Sequence, residues 1–234
     1  MKKLVLLFAA LLVAGCGEKS SSSEGSESAS EKPTPSNESA EPSADTAQPP
    51  ANSVTLPLSD ADVERLLKEA VDFDSLEERD GLYYQTNESE PFSGWTRGMY
   101  DSEHVEVLAQ FKDGKQNGLH TEWHENGQKR VEATYKDGRE EGLRTGWHEN
   151  EQKQFEATFK DGKPHGLTTT WHENGQKRSE TTFKDDKIDG LWREWHENGQ
   201  KRSETTYKDG EWAPPNKYWN RKGEEVETRE EAEE

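Results

Sequence analysis

The stretch Trp123-His124-Glu125-Asn126-Gly127 decides the fold, because close copies of it return along the chain at a fixed interval. The interval is 24 residues, and the copies begin at Trp147, Trp171 and Trp195. A fixed period of this length is typical of repeat proteins, in which each copy forms one structural unit and packs on its neighbours. One repeat is therefore the unit from which the fold follows.

Each repeat contains two short segments whose residues alternate as they do in a β-strand. In the first clear copy these segments cover 119–124 and 129–135, with Asn126-Gly127 between them and Asp137-Gly138 after them. Asn-Gly and Asp-Gly are the strongest short-range signals for β-hairpins. The sequence predicts an all-β fold, a single-layer antiparallel meander of roughly ten to twelve strands, built from 24-residue hairpin repeats over 94–223.

The distribution of apolar residues between the two faces favours a particular turn length. A three-residue loop over 125–127 pairs Trp123 with Lys129 and Thr121 with Val131, which places all large apolar groups of the repeat on one face. The same reasoning predicts a three-residue loop at Lys136-Asp137-Gly138. We expect positive φ at Gly127, Gly175 and Gly199. The turn glycines as a set are Gly127, Gly138, Gly162, Gly175, Gly199 and Gly210.

Two repeats lack a turn glycine. Glu151 stands where the first copy has Gly127, and Asp186 stands where the other copies have the Gly of Lys-Asp-Gly. Side chains with a Cβ adopt positive φ only at an energetic cost. We therefore expect these two turns to be strained or rearranged.

Eight aromatic residues recur with the repeat and are predicted to form a ladder on one face. They are Trp123, Trp147, Trp171, Trp195, Tyr135, Phe159, Phe183 and Tyr207. The ladder has two interpretations, a hydrophobic core or an exposed surface that binds a protein segment or a glycan. Core is the favoured interpretation, because large aromatic side chains are usually buried.

The four repeated histidines, each followed by Glu, raise the question of a metal site. Neighbouring residues on a strand point to opposite faces, and equivalent histidines two strands apart are separated by about 9.6 Å. A zinc ion with bonds of about 2 Å cannot bridge that distance. We therefore predict no metal ligands and a solvated polar face, with imidazoles that become charged on acidification. The histidines are His124, His148, His172 and His196.

Composition and motifs argue against several classes of function. The formal net charge is −19, which disfavours nucleic acid as a partner. The sequence shows no serine nucleophile elbow, no phosphate-binding loop and no cluster of cofactor ligands. We predict a protein without catalytic activity and without a cofactor.

The segments around the repeats differ from them in pattern. Over 54–93, apolar residues spaced as on a helix start at Val63, with Ser59 as the predicted N-cap and an end near Asp72. A strand at 82–84 follows, and 94–117 is a degenerate first repeat. Beyond the last clear copy, Pro214-Pro215 is predicted to end regular strand pairing. Residues 224–234 are predicted to form a solvated acidic tail.

The N-terminus resembles a bacterial lipoprotein signal. Lys2 and Lys3 precede an apolar run that ends in Val13-Ala14-Gly15-Cys16. The resemblance implies that residues 1–15 are removed and that Cys16 becomes the first residue, carrying a lipid that includes palmitate. Residues 16–53 are rich in Ser, Glu and Pro, and such a composition is typical of a disordered tether. The resemblance implies an exported protein that is lipid-anchored to a bacterial membrane, on an outer-membrane, periplasmic or surface face. In a bacterium with two membranes, Gly17 after the cysteine would resemble the default signal for sorting to the outer membrane.

The repeats themselves resemble the bacterial MORN-repeat variant family. The resemblance rests on the recurrent Gly-Leu-x-x-x-Trp-x-x-Asn-Gly and Tyr/Phe-Lys-Asp-Gly-Lys-x-x-Gly, and it covers 81–223. It implies a scaffold that binds protein or lipid, and members of the family are often labelled antitoxins. For an exported protein, that label would mean protection against a toxin arriving from outside.

Three functional hypotheses follow from the sequence. The first is a membrane-anchored, non-enzymatic scaffold that binds an unidentified protein in the cell envelope and is held at the membrane by its N-terminal lipid. The second is an antitoxin or immunity protein, which only the resemblance implies. The third is a module that binds envelope glycan through the aromatic face. The near balance of charges within the repeats disfavours strong attraction to anionic lipid.

Overall fold

The 24-residue repeats form consecutive hairpins of one long sheet, which confirms the predicted fold class. The structure is a computed structural model that describes residues 58–234. The predicted signal segment 1–15, Cys16 and the predicted tether 16–53 lie outside the described residues. Residues 59–234 form a compact unit of their own.

The order of elements follows the repeat. Helix α1 covers Asp60–Glu69 and helix α2 covers Arg229–Ala232. The strands are β1 Val71–Asp72, β2 Leu76–Arg79, β3 Leu82–Gln85, β4 Gly94–Met99, β5 Val105–Lys112, β6 Lys115–Trp123, β7 Lys129–Lys136, β8 Arg139–Glu140, β9 Gly142–Trp147, β10 Lys153–Lys160, β11 Lys163–Trp171, β12 Lys177–Lys184, β13 Lys187–Ile188, β14 Gly190–Trp195, β15 Lys201–Lys208, β16 Glu211–Trp219 and β17 Glu225–Val226.

The sheet runs in chain order from β4 to β16, and each of its eleven strands of six or more residues is antiparallel to the next. The short strands β8 and β13 pair with β7 and β12 directly after a turn. At the first edge β1 pairs with β4 in parallel, and at the last edge β17 pairs with β16. Strands β2 and β3 form a separate hairpin.

The His-Glu-Asn-Gly turn has the three-residue loop that the sequence predicts. The N–H of His124 donates to the carbonyl of Gln128 at 2.8 Å, and the N–H of Gly127 donates to the carbonyl of His124 at 2.9 Å. Gly127, Gly175 and Gly199 have φ of 82°, 80° and 82°. Glu151 adopts φ of 65° and keeps the same two hydrogen bonds. The turn of this repeat is therefore strained rather than rearranged.

The Asp-Gly turn differs from the prediction. Lys136 pairs directly with Arg139, so the loop contains only Asp137 and Gly138, and the predicted three-residue loop at 136–138 is wrong. Both loop residues have positive φ, 51° and 81°, as a type I′ turn requires. This turn type prevails because its twist matches that of the strands it connects. Asp185 and Asp186 form the same turn without a glycine, with φ of 49° and 69°.

A bulge at Arg130 separates the aromatic residues onto two faces. Trp123 pairs with Lys129 as predicted, but the next pair is Glu122 with Val131, so Arg130 is an extra residue in β7. This one-residue shift pairs Thr121 with Glu132 instead of Val131. Because opposed residues share a face, Val131 and the residues that alternate with it lie opposite Trp123. The prediction of one aromatic face is therefore wrong.

The same shift recurs in every repeat and defines two faces. The tryptophan face carries Trp123, Trp147, Trp171 and Trp195. The phenylalanine face carries Tyr135, Phe159, Phe183 and Tyr207. On the phenylalanine face each aromatic ring pairs with a glycine across the strand, as in Gly118 with Tyr135 and Gly142 with Phe159. These glycines also have positive φ, 107° and 87°, a role that the sequence pattern did not reveal.

The N-terminal end of the sheet is covered by the residues that precede the repeats. The hydroxyl of Ser59 accepts from the N–H of Asp62 and caps α1, as predicted, although the helix ends at Glu69. Rings of Phe73, Tyr83 and Phe92 pack around Phe111 on the phenylalanine face, with centroid distances of 5.5–6.2 Å to Phe111. Burial at this end is extensive, and Leu66, Leu108, Thr96 and Thr121 are the largest fully buried side chains.

The C-terminal end is more ordered than predicted. Strand β16 continues through Pro214-Pro215 and pairs with β15 on both sides of them, so the prediction that pairing ends there is wrong. The prolines are tolerated because they fall in a bulge, where ladder hydrogen bonds are already interrupted. Most residues of 224–234 are exposed, as predicted for a solvated tail, but the segment also forms β17 and α2 and buries Ala232. Arg202 pairs with Glu233 of this segment.

Candidate functional site

The repeated histidines connect each repeat to the next one. The Nε2–H of His124 donates to the backbone carbonyl of Trp147 at 3.0 Å. A carbonyl oxygen only accepts, so the proton must be on Nε2. The same bond joins His148 to Trp171, His172 to Trp195 and His196 to Trp219, over 3.3, 3.0 and 2.9 Å. The hydroxyl of Tyr100, at the equivalent position of the degenerate first repeat, donates to the carbonyl of Trp123 at 2.8 Å.

The turn asparagines form a second row of contacts between repeats. The Nδ2 of Asn174 donates to the carbonyl of Glu197 at 2.7 Å, while its Oδ1 accepts from the N–H of Gln176 at 3.0 Å. Asn150 and Asn198 make the same contact forward to the next turn at 2.7 Å. In Asn126 the forward bond is longer, 3.3 Å to the carbonyl of Glu149. The His-Glu-Asn-Gly turns are thus joined side by side along one margin of the sheet.

These contacts decide how the histidines are to be interpreted. His196 is buried and the other three are half-buried, so the predicted solvated polar face is wrong at these positions. Each ring is held by a backbone carbonyl of the next repeat. Within residues 58–234, no group of three His, Cys, Asp or Glu side chains is placed to hold a metal ion. The histidines of the turns have a structural role in stacking the repeats.

The tryptophan face is covered by lysines from the same sheet. Each Lys Nζ lies over the indole of the following repeat, with distances to the ring centroid that fall from 5.9 Å at Lys129 and Trp147 to 4.7 Å at Lys201 and Trp219. The same lysines pair with glutamates three residues on, as in Lys129 with Glu132 at 2.6 Å. The aliphatic parts of such lysines shield apolar surface while the charge stays in water. Trp123 is buried, and Trp147, Trp171 and Trp195 are half-buried.

The phenylalanine face is also partly closed. Phe183 is buried, while Tyr135, Phe159 and Tyr207 are half-buried. Burial, which would remove water from the phenolate, and the nearby Glu140 carboxylate both raise the pKa of Tyr135 above its ordinary range. The Tyr135 hydroxyl donates to Glu140 at 3.0 Å. On both faces, therefore, the aromatic residues predicted as a ladder contribute to the packing of the sheet.

A buried polar cluster lies on the phenylalanine face of the first full repeat. The carboxylate of Glu122 contacts the Nε2 of His120 at 2.8 Å and the guanidinium of Arg130 at 2.6 Å, and His120 and Glu122 are each 3% exposed. Desolvation alone would raise the pKa of Glu122, but the hydrogen bond from His120 and the charges of His120, Arg130 and Arg144 together lower it. The negative charge of the buried Glu122 is therefore compensated by His120 and Arg130 within the fold.

Besides Met99 and Trp212, the large apolar side chains of the sheet that remain exposed form one evenly spaced series. Leu143, Leu167 and Leu191 occupy equivalent positions on the tryptophan face and are 53%, 53% and 37% exposed. They are two strands apart from one another, about 9.6 Å, and threonines of the intervening strands lie between them. We call this series the leucine row. The sequence pattern places these leucines on an apolar face but does not reveal that they stay exposed, because exposure depends on which neighbouring side chains cover that face.

No helix among residues 58–234 combines the length and the apolar character needed to cross a bilayer. Residues 116–137, 140–161, 164–185 and 188–209 match the family described as MORN repeat variant. A comparison with curated proteins found no match. MORN repeats are non-catalytic modules that in general mediate interaction with proteins or membranes. Each matched segment spans a strand, a turn that begins with His-Glu-Asn and the next strand, so the four segments similar to MORN repeat variants build the centre of the sheet.

Proposed function

We propose that this protein is a non-enzymatic repeat scaffold that binds a protein partner in the cell envelope and is anchored to a bacterial membrane through a lipid on Cys16. The observation that supports partner binding is the leucine row. Large aliphatic side chains that recur at equal spacing and stay more than one-third exposed mark an interaction surface better than scattered ones do. The repeated rings of Trp147, Trp171 and Trp195, by contrast, are covered by lysines of the same sheet.

The proposed anchor is supported by the sequence of the N-terminus alone. An apolar run of signal-peptide length ends in Val13-Ala14-Gly15-Cys16. The composition of residues 16–53 suits a spacer that keeps the folded repeats away from the bilayer surface. The proposed location is the exported side of the membrane.

Partner binding is tested by placing a photo-crosslinking amino acid at Leu167 in the full chain, in cells that normally express it. A single protein adduct is expected from Leu167 and from Leu143, and none from the exposed turn residue Glu173. Replacing Leu143 and Leu167 by serine should abolish co-purification of the same protein. A chain that gives no protein adduct from any exposed position of the sheet would contradict the scaffold function.

The anchor is tested independently by metabolic labelling with an alkyne analogue of palmitate. The natural chain should carry the label and sediment with membranes, whereas Cys16→Ser should lose the label and remain unprocessed. Equal labelling of both chains, or an unprocessed natural chain in the soluble fraction, would refute the anchor without affecting the test of the leucine row.

A further inference from the structure

The Asp-Gly turns are flanked by exposed basic residues that face one another across the strands. Each pair occupies the positions directly before and after a type I′ turn: Lys112 with Lys115, Lys136 with Arg139, Lys160 with Lys163 and Lys184 with Lys187. All eight side chains are exposed. Like charges directly opposite one another destabilise a sheet. Their recurrence in four hairpins therefore calls for an explanation beyond folding. We call these eight residues the basic band.

The basic band runs beside the leucine row on the tryptophan face. Lys160 lies two residues along β10 from Thr158, and Thr158 pairs with Leu143. Residues two apart on a strand share a face and are separated by about 6.6–6.8 Å. A ligand of modest width that lies across the strands can therefore contact the leucine row and the basic band at the same time.

The charge of the band is not uniform along the sheet. In the first three turns, two basic residues enclose one aspartate, which leaves each turn with one net positive charge. The fourth turn contains Asp185 and Asp186 and is neutral, and the fifth, from Lys208 to Glu211, is negative. Lys208 is also paired with Asp189 at 2.7 Å. The positive part of the band thus lies next to Leu143 and Leu167, the two most exposed residues of the leucine row.

We propose that the leucine row and the basic band together bind an amphipathic α-helix of the protein partner, with an apolar stripe on the leucines and acidic side chains along the flank that faces the band. This inference rests on the proposed scaffold function and names the chemistry of its partner. A peptide added as a strand would pair with an edge of the sheet and would leave this face unused. A purely apolar ligand would leave the basic band without a partner.

The dimensions of the surface match those of a helix. From Thr134 on β7 to Thr206 on β15 the row crosses six strand intervals, which amounts to about 29 Å. A helix of about 20 residues has that length, and seven residues of helix advance about 10.5 Å, close to the spacing of successive leucines. A helix diameter of about 10 Å spans the two adjacent rows. The partner helix therefore presents apolar residues at intervals of three, four and seven.

The test uses residues 59–234, the compact unit described above, and fluorescent probe peptides of 21 residues. The acidic probe is a three-heptad helix with Leu at the first and fourth positions and Glu along one flank. The basic probe has Lys in place of Glu. Fluorescence anisotropy should show binding of the acidic probe that weakens at least tenfold when salt rises from 50 to 500 mM, and at least tenfold weaker binding of the basic probe. Equal binding of the two probes would overturn the proposal.

Two pairs of variants locate the site. Leu143→Ser with Leu167→Ser, and Lys136→Glu with Lys160→Glu, should each weaken binding of the acidic probe at least tenfold. Arg178→Glu with Lys222→Glu makes the same change of charge at exposed positions outside the band and should leave binding within twofold of the natural chain. Circular dichroism verifies that each variant is folded. If the control pair weakens binding as much as the band pair does, the site is not the one proposed.

The outcomes separate this inference from the proposed function. If Leu167 forms a protein adduct in cells but the adduct maps to a segment without an acid-flanked apolar stripe, the scaffold function stands and the helix is refuted. If no position of the sheet forms an adduct while the acidic probe still binds at the band, the surface chemistry stands and the scaffold function in that cell is refuted.

Discussion

Glu151 shows how one side chain can weaken the junction between two repeats. In later turns, a glutamine packs against the glycine of the next turn so closely that a Cβ at Gly175 would lie 2.5 Å from the Oε1 of Gln152. Glu151 has that Cβ, and Gln128, which would occupy the equivalent space, accepts instead from the Nδ2 of its own Asn126 at 3.0 Å. The substitution therefore strains the backbone and displaces a contact.

Replacing Glu151 by glycine should stabilise the fold by about 1 kcal/mol, because a residue with a Cβ pays roughly that for positive φ. The measurement is the urea midpoint of residues 59–234. Glu149→Gly is the matched control, since Glu149 belongs to the same turn without positive φ; it should be neutral or destabilising. An unchanged midpoint for Glu151→Gly would show that the strain is relieved elsewhere.

His104 and Asp101 provide a prediction about pH. The hydrogen bond and charge of Asp101 raise the pKa of His104, and hydrogen bonds from the Glu103 N–H and from His104 hold the pKa of Asp101 at about 2. The raised histidine pKa stabilises the fold below about pH 6.5 and this contribution is lost as pH rises through the folded-state value. The lowered aspartate pKa stabilises above about pH 4 and is lost as pH falls toward 2. The pair therefore contributes most between these limits.

The measurement is an NMR titration of the His104 ring in residues 59–234. Asp101→Asn should lower the midpoint toward that of a free imidazole, whereas the neighbouring change Glu103→Gln should move it much less, because Glu103 acts on the ring only through its charge. A midpoint that is the same in the natural chain and in Asp101→Asn would contradict the assigned partner.

At the scale of elements, the hairpins stack through their turns as well as through the ladder between strands. Each of the four repeated turns gives one imidazole hydrogen bond to the carbonyl of the tryptophan that ends the next strand of the same kind, and one amide hydrogen bond to a carbonyl of the next turn, as in His172 and Asn174. The series ends at Tyr100 on one side, and at the other the turn of Asn220 closes on itself through a 2.8 Å bond to Glu224. The turn motif is thus the main device that sets repeats side by side.

Asn174→Asp isolates this device. Aspartate still accepts from the N–H of Gln176, but it replaces the donor that faces the carbonyl of Glu197 by a second acceptor. Because the bond is exposed, the expected cost is about 1 kcal/mol, measured from the urea midpoint. Asn126→Asp should cost less, because its forward bond is already stretched to 3.3 Å. Equal costs would mean that the forward bond does not stabilise the stack.

The sequence predicts the hairpins correctly, but it does not predict the register in which their strands pair. Asn-Gly and Asp-Gly mark turns by their own backbone preferences, which are local and readable. The bulge at Arg130 has no such signature, since it depends on two turns of different length sharing one strand. Because of that single extra residue, Tyr135 and its equivalents lie on the face opposite the tryptophans. The leucine row became visible only once the register was fixed.

At the scale of the whole molecule, burial is concentrated toward the N-terminal end of the sheet. From β5 to β7 the buried apolar residues are Val107, Leu108, Ala109, Phe111, Leu119, Trp123, Val131 and Ala133, whereas from β8 to β16 they are Ala157 and Phe183. Repeats that contact only their neighbours unfold according to local stability. Amide hydrogen exchange should therefore be slowest in β5 to β7 and should become faster toward β14 to β16.

Two core substitutions test this gradient. Leu108 is fully buried in the part of the sheet that buries most apolar surface, so Leu108→Ala should lower the free energy of unfolding by about 2–5 kcal/mol. It should also accelerate amide exchange throughout the sheet, because the remaining repeats bury too little apolar surface to stay folded without this part. Phe183→Ala removes a larger side chain from a repeat with few buried neighbours, and the accelerated exchange should be confined to β11 to β14. If both variants accelerate exchange uniformly, the sheet unfolds as one cooperative unit, and its repeats do not differ in stability in the way that their burial indicates.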